Sequence, residues 1–476
     1  MAENYPFISP LASRYASKAM QEIFSERARV RRFRHLWVLL AEAEKELGLN
    51  ISQDQIDELK AHVEDIDLDV IHQREKEVRH DVMANIYAYG LLCPKAKGII
   101  HLGATSCYVD DNADILALQE GMRLVRAKLV LALKKLSDFA LKHKSLPCLG
   151  YTHLQPAQPT TIGKRFSLYA NEFFLDLKNL DYQLSTLLPL GCKGATGTQA
   201  SFLDLFQGDE KKVESLDRII AEKMGFERSV PVSGQTYTRK MDTYFVSPLR
   251  GIASSAYKFS LDLRIASSFM EVQEGQLKDQ VGSSAMPYKK NPMMAERICA
   301  LSRYVLANAI NFDFTSAEQC FERTLDDSAN RRLAIPDMFL GIDGILNVLN
   351  TLLDRLVVNP VVIKARLESN LPFMASENIL MEAVKRGGDR QVLHERLRVL
   401  SRQASEKVAR GEKNDLLERI ISDPLFHLKE ADILPLLSPE KFIGLAQRQC
   451  ETFLENEVLP YLARSVEEGI DIEVNV

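Results

Sequence analysis

The stretch after Pro248 constrains this chain most. Ile252, Ala256, Phe259, Leu263, Ala266 and Met270 recur at alternating steps of four and three, a heptad seam that predicts a helix packed on a nearly parallel neighbour. A second apolar row, Tyr257, Leu261, Ile265 and Val272, falls on another face. A helix apolar on two faces needs partners on both, so the pattern predicts a bundle. A row left uncovered within the chain would be covered by a second copy. At the usual rise per residue, the stretch 252–274 would run about 35 Å.

Similar helical segments are expected over 112–143, 162–188, 292–318, 332–358 and 360–370. Glycine and proline gather at their ends, where helices start and stop. Strand-like alternation is short and local, as in Val230-Pro231-Val232. The fold class is therefore mainly α. Boundaries are expected near Gly103-Ala104-Thr105-Ser106 and at Asn359-Pro360, where proline suits a helix's first turn. They divide the chain into an N-terminal helical domain (1–111), a central long-helix domain (112–358) and a C-terminal helical domain (359–476).

The charge balance of 60 basic against 65 acidic residues leaves a net charge of -5, which is no footprint for nucleic acid or an anionic membrane. An anionic ligand would have to be held by local arginines and lysines. Seven cysteines, an odd number with no C-x-x-C pair, argue against a disulfide scaffold or a zinc site and for reduced thiols. The first residues lack the basic start and apolar run of a signal peptide, and no apolar run approaches the ~18–20 residues that cross a bilayer. A soluble, cytoplasmic protein is the expectation, with no metal and no cofactor.

Five clusters are candidates for chemistry. In the run 282–291, Gly282-Ser283-Ser284 forms a hydroxyl-bearing turn, Lys289 adds a cation, and Asn291-Pro292 reads as an N-cap with proline at the first helical position. A helix N-terminus there would offer N–H donors and partial positive charge to an anion. The bland alternative is a capped polar turn. His153 lies in Gly150-Tyr151-Thr152-His153-Leu154-Gln155-Pro156, where two nearby prolines and a glycine exclude helix; the segment is expected to be irregular. A histidine exchanges protons near neutral pH, although a lone loop histidine is more often only a surface residue. Arg79-His80-Asp81 reads as paired charges at a helix end. Thr105-Ser106 offers hydroxyls for a carboxylate or phosphate. Arg323-Thr324-Leu325-Asp326-Asp327-Ser328-Ala329-Asn330-Arg331-Arg332 holds three arginines and a serine, a phosphate grip or else a solvated charged turn. The fingerprints of nucleotide hydrolases, dinucleotide enzymes, zinc proteases and esterases are absent, which leaves acid–base chemistry by side chains alone.

Residues 282–291 match every specified position of the signature G-S-x-x-M-x-x-K-x-N, and on that motif the chain resembles the fumarase/aspartase superfamily. The segments at 79–81, 105–106, 151–158, 233–237 and 323–332 resemble those of the branch that cleaves adenylosuccinate. The resemblance implies a three-domain subunit whose central bundle assembles into a homotetramer, with active sites shared between subunits. It implies small nucleotide substrates, adenylosuccinate and the succinyl-carboxamide imidazole ribotide, each losing fumarate. It further implies Ser283 as base and His153 as acid. Arg14, Tyr15, Arg79, His80, Asp81, Thr105, Ser106, Gln235, Lys289, Asn291, Arg297, Arg323, Ser328 and Arg332 would hold substrate. Rival readings are another lyase of the superfamily, such as one cleaving argininosuccinate, and a non-catalytic, crystallin-like structural protein.

Overall fold

A computed structural model describes residues 7–276, 285–286, 288–464 and 472. Its principal helices are α1 (Glu26–Glu46), α2 (Asp81–Leu92), α3 (Ser106–Lys142), α4 (Ile162–Thr186), α5 (Lys240–Ser268), α6 (Met293–Asn308), α7 (Asp326–Leu353) and α8 (Pro360–Met374). Strands are few: β1 (Pro147–Thr152) pairs antiparallel with β2 (Gln155–Thr161), and β3 (Val272–Glu274) with β4 (Leu356–Val358).

Helices α3 to α7 form a closed ring in which α3 packs on α4, α4 on α5, α5 on α6, α6 on α7, and α7 back on α3. The heptad seam explains the middle of the ring. Ile252, Ala256, Phe259 and Leu263 of α5 are buried, whereas Ala266 is only half-buried and Met270 is exposed beyond the helix end. On the second row Val272 is buried in β3, Tyr257 and Ile265 are half-buried and Leu261 is exposed. That face is only partly covered by the chain itself.

Several expectations need correction. Helix α5 begins at Lys240, with Pro248 inside it, and stops at Ser268; residues 272–274 are strand. An interior proline costs roughly 3 kcal/mol. Here the turns ahead of it are anchored by Asp242, which is fully buried and bound by Tyr237 and Arg331. Helix α7 likewise begins earlier than expected and gives way to β4, because residues 356–358 have a strand partner beside α5. Val230 bonds only to the Pro189 carbonyl and joins no strand. Finally, α7 is long and apolar enough to cross a membrane by composition, yet 83% of that apolar window is buried within the fold. It is the bundle's core helix.

The N-terminal helix α1 contributes Phe33, Leu36, Trp37 and Leu40 to the same apolar core as the ring. A second core, from Ala375 to Ile433, lies beyond α8, and Cys450, Leu454, Val458 and Leu462 return to the first.

Candidate active site

A cavity of about 760 Å³ opens where the N-terminus of α3, the start of α2 and the start of α7 converge. Arg79, His80, Asp81, Ser106, Gln235, Arg323, Ser328 and Arg332 all line it. Segments distant in sequence thus meet on one concave wall, as in the Arg332–Asp81 pair, 251 positions apart.

The chain reverses sharply at the first cluster. Arg79 closes one helix in the left-handed conformation (φ 55°), and His80 opens α2 by accepting the Met83 N–H at Nδ1, 3.3 Å away. With Nδ1 accepting, a neutral ring carries its proton on Nε2, which lies 3.4 Å from Ser106 Oγ. Capping therefore aims the imidazole at the cavity. Asp81 follows, bonded by Arg332 at 2.6 Å and Arg29 at 3.4 Å. Burial would raise its pKa, but the two guanidinium groups outweigh that and hold it below the ordinary carboxylate value.

Gln235 is fixed on three sides. Its backbone N–H donates to Glu322, its amide donates to Ala195 at 3.0 Å, and its carbonyl accepts from the Cys107 thiol at 3.3 Å. Arg323 reaches Asp327 at 2.7 Å.

Beneath this wall runs a buried charge network that the sequence clusters did not disclose. Arg239 is 1% exposed; it forks onto Asp111 with two bonds of 3.0 Å and reaches Asp327 at 2.7 Å. Arg331 bonds Asp242 and Asp114, each at 2.8 Å, and Tyr237 at 2.5 Å. Of the three arginines in residues 323–332, Arg331 commits a bond from each of its three nitrogens to the fold, although it also borders the cavity. Arg29 pairs with Asp110 at 2.6 Å on the cavity wall. Burial, together with Asp81, Asp114 and Asp111 nearby, outweighs Arg29 and pushes Asp110 up to about 7. The available signal was the spacing Asp110, Asp111 and Asp114, which sets three acids on neighbouring faces of one helical turn.

Other expected residues lie elsewhere. Arg14 and Tyr15 belong to a short turn (Leu11–Tyr15) seated on α7, where Asn347 bonds the Tyr15 carbonyl. Thr105 is the N-cap of α3, beside the cavity but not lining it. His153 is exposed, and its segment is not irregular: His153 and Leu154 (φ 54° and 57°) form the two-residue turn of the β1–β2 hairpin. Lys289 and Asn291 precede α6 and Arg297 lies in its first turns; none of the three is among the residues lining the cavity. Asn291 is not the cap expected there. Glu274 is: it accepts from Ala295 N at 2.7 Å and Met294 N at 3.1 Å, so the chain's own carboxylate occupies the helix N-terminus assigned to a bound anion. Ser283 lies outside the described residues.

The fold and this site define a lyase of the fumarase/aspartase class, and a family model described as Lyase matches residues 14–307. Among solved structures, a fumarate lyase from Mesorhizobium sp. BNC1 aligns with a TM-score of 0.80 at 22% identity, covering 95% of this chain and 100% of that one. The 3-carboxy-cis,cis-muconate lactonizing enzyme of Pseudomonas putida aligns with 0.81 at 23%, covering 94% and 98%. Within the class, the chain belongs to the adenylosuccinate lyase family. A model of the adenylosuccinate lyase C-terminus matches residues 372–453. The adenylosuccinate lyase of Schizosaccharomyces pombe is 45% identical over 98% of this chain and 99% of its own length. That of Saccharomyces cerevisiae is 46% identical over 95% of each.

Proposed function

We propose that the chain eliminates fumarate from adenylosuccinate, giving AMP, and from the succinyl-carboxamide imidazole ribotide, giving its carboxamide. The observation that carries this reading is the cavity itself, where arginines, His80, Ser106 and Gln235 converge on a space sized for a nucleotide.

Both substrates carry a succinyl group on nitrogen. The reaction removes a proton from the carbon beside one carboxylate, and the electron pair left behind forms the new C=C bond as the neighbouring C–N bond breaks. The leaving nitrogen takes up a proton. We assign Ser283 as the base and His153 as the acid. If the serine hydroxyl titrates about six units above neutral, forming its alkoxide costs roughly 8 kcal/mol. Lys289 and backbone N–H groups of the signature loop would offset part of that cost on a dried site. Ser106, with Thr105 beside it, suits a succinyl carboxylate, and Arg323, Ser328 and Arg332 suit the phosphate, joined by Arg14 and Tyr15. Arg297 and Asn291 would complete the nucleotide and carboxylate contacts.

His153, exposed on a hairpin tip and absent from the cavity lining, supports a site completed by other copies in a homotetramer. So does α4, whose exposed Leu168, Leu175 and Tyr182 recur at heptad spacing, beside the half-open row of α5. Of the three-domain division proposed at 111 and 358, the separate core from Ala375 to Ile433 supports a distinct C-terminal unit, whereas residues before 111 share the apolar core of the ring. Unpaired cysteines suit a cytoplasmic location.

The test is to add adenylosuccinate and follow the ultraviolet spectrum with a parallel assay for fumarate. Equimolar AMP and fumarate are expected. Turnover of argininosuccinate instead, or no turnover of either, would overturn the assignment.

A further inference from the structure

The hairpin that carries His153 is gripped from one side by two arginines that bracket a single buried carboxylate. Glu271 is 1% exposed and directly precedes β3, the strand that leads towards the signature loop. Arg366 of α8 bonds Glu271 Oε1 at 2.9 Å and donates to the Tyr151 hydroxyl at 3.0 Å. Arg165 of α4 stands 3.8 Å from Glu271 Oε2 and donates through its other nitrogen to the Leu149 carbonyl. The two arms therefore end on Leu149 and Tyr151.

Those residues flank the one irregularity in the hairpin. The register shifts between Leu149 and Tyr151, so Gly150 forms a bulge. A Cβ at Gly150 would stand 2.4 Å from the Gln158 carbonyl oxygen, which leaves glycine as the residue that fits. A bulge bends and twists a strand, and so redirects what lies beyond it. What lies beyond is the tip, His153 and Leu154. The Tyr151 ring also stacks on Phe269 at 5.7 Å, with Arg366 over the far ring at 4.1 Å.

A fully buried carboxylate is a poor choice for stability alone, since removing charges from water costs several kcal/mol and apolar packing often does as well. Glu271 Oε2 even lacks a hydrogen bond. What the arrangement does provide is fixed geometry between three elements: the hairpin, the root of β3 and α8. We infer that Glu271, Arg366 and Tyr151 are positioning residues that set the direction of the His153 tip, so that its imidazole meets the leaving nitrogen. This inference rests on the assignment of His153 as the acid.

The experiment compares Tyr151→Phe, Arg366→Lys, Glu271→Gln and His153→Gln in the full-length protein, measuring kcat, KM and the pH dependence of kcat with adenylosuccinate. Tyr151→Phe removes one hydroxyl and keeps the stacked ring, so it tests the clamp without unfolding it. A misdirected acid should lower kcat roughly 10- to 100-fold while KM stays within about threefold. It should also shift the basic limb of the profile, where the acid loses its proton, and leave the acidic limb in place. If the three clamp variants melt earlier but keep wild-type kcat and basic limb while His153→Gln is inactive, the clamp is a staple only and the inference fails. A rise in KM alone would also overturn it. If His153→Gln remains active, the acid assignment itself fails.

Discussion

Replacing Glu44 by glutamine should make the protein more stable at pH 8 and change it little at pH 5. Glu44 lies in α1 with no exposed surface, and neither carboxylate oxygen has a hydrogen bond. Burial raises its carboxyl from an ordinary value of 4.5 to about 9. The folded protein therefore keeps this proton across neutral pH, whereas the unfolded chain releases it. Proton linkage gives the sign: stability is highest below the unfolded value and declines as pH rises from 4.5 towards 9, by about 1.36 kcal/mol per unit. Glutamine keeps the shape and removes the titration. Over three pH units the variant should gain on the wild type by about 4 kcal/mol, an upper figure because any water reaching Glu44 would reduce it. Urea midpoints of both proteins between pH 5 and pH 8 supply the comparison. A stability difference that stays constant with pH would refute the reasoning, because Glu44 would then be ionised inside the fold.

Three further outcomes follow from the cavity and its foundations. With burial and the neighbouring acids pushing Asp110 up to about 7, the wall should gain negative charge as pH rises, and KM for an anionic substrate should climb between pH 6 and 8. Asp110→Asn should flatten that climb in steady-state assays. Arg331→Met strands the fully buried Asp242 and should cost about 3–5 kcal/mol, read from denaturation midpoints. Arg332→Ala leaves Asp81 with Arg29 alone and would remove the proposed phosphate contact; KM should rise roughly tenfold with kcat less affected.

The bundle was legible because the period of the apolar residues is set by helix geometry, and Ile252, Ala256, Phe259 and Leu263 have only one way to be buried together. The ends of α5 and α7 were not legible. They depend on distant partners: Asp242 waits for Arg331, and residues 272–274 for 356–358. Of the short polar clusters, Arg79, His80, Asp81 and Ser106 line the cavity while Thr105 stays beside it as the cap of α3; such turns and caps are local features that sequence records. The structural role of Arg331 was not legible for the opposite reason. Adjacent to Arg332, it points to the other side of the helix, and only the positions of Asp114 and Asp242 show that it faces inward. The hairpin around His153 was missed because its turn uses two non-glycine residues at positive φ, where the familiar Asn-Gly signal is lacking.

The central claim, that His153 and Ser283 act together in sites completed by more than one subunit, is tested most directly by mixing. His153→Gln and Ser283→Ala proteins should each be nearly inactive towards adenylosuccinate. After subunit exchange, mixed assemblies should recover a measurable fraction of wild-type fumarate release, because some sites then combine an intact His153 with an intact Ser283. No recovery, with exchange verified by mass spectrometry of mixed assemblies, would contradict the account.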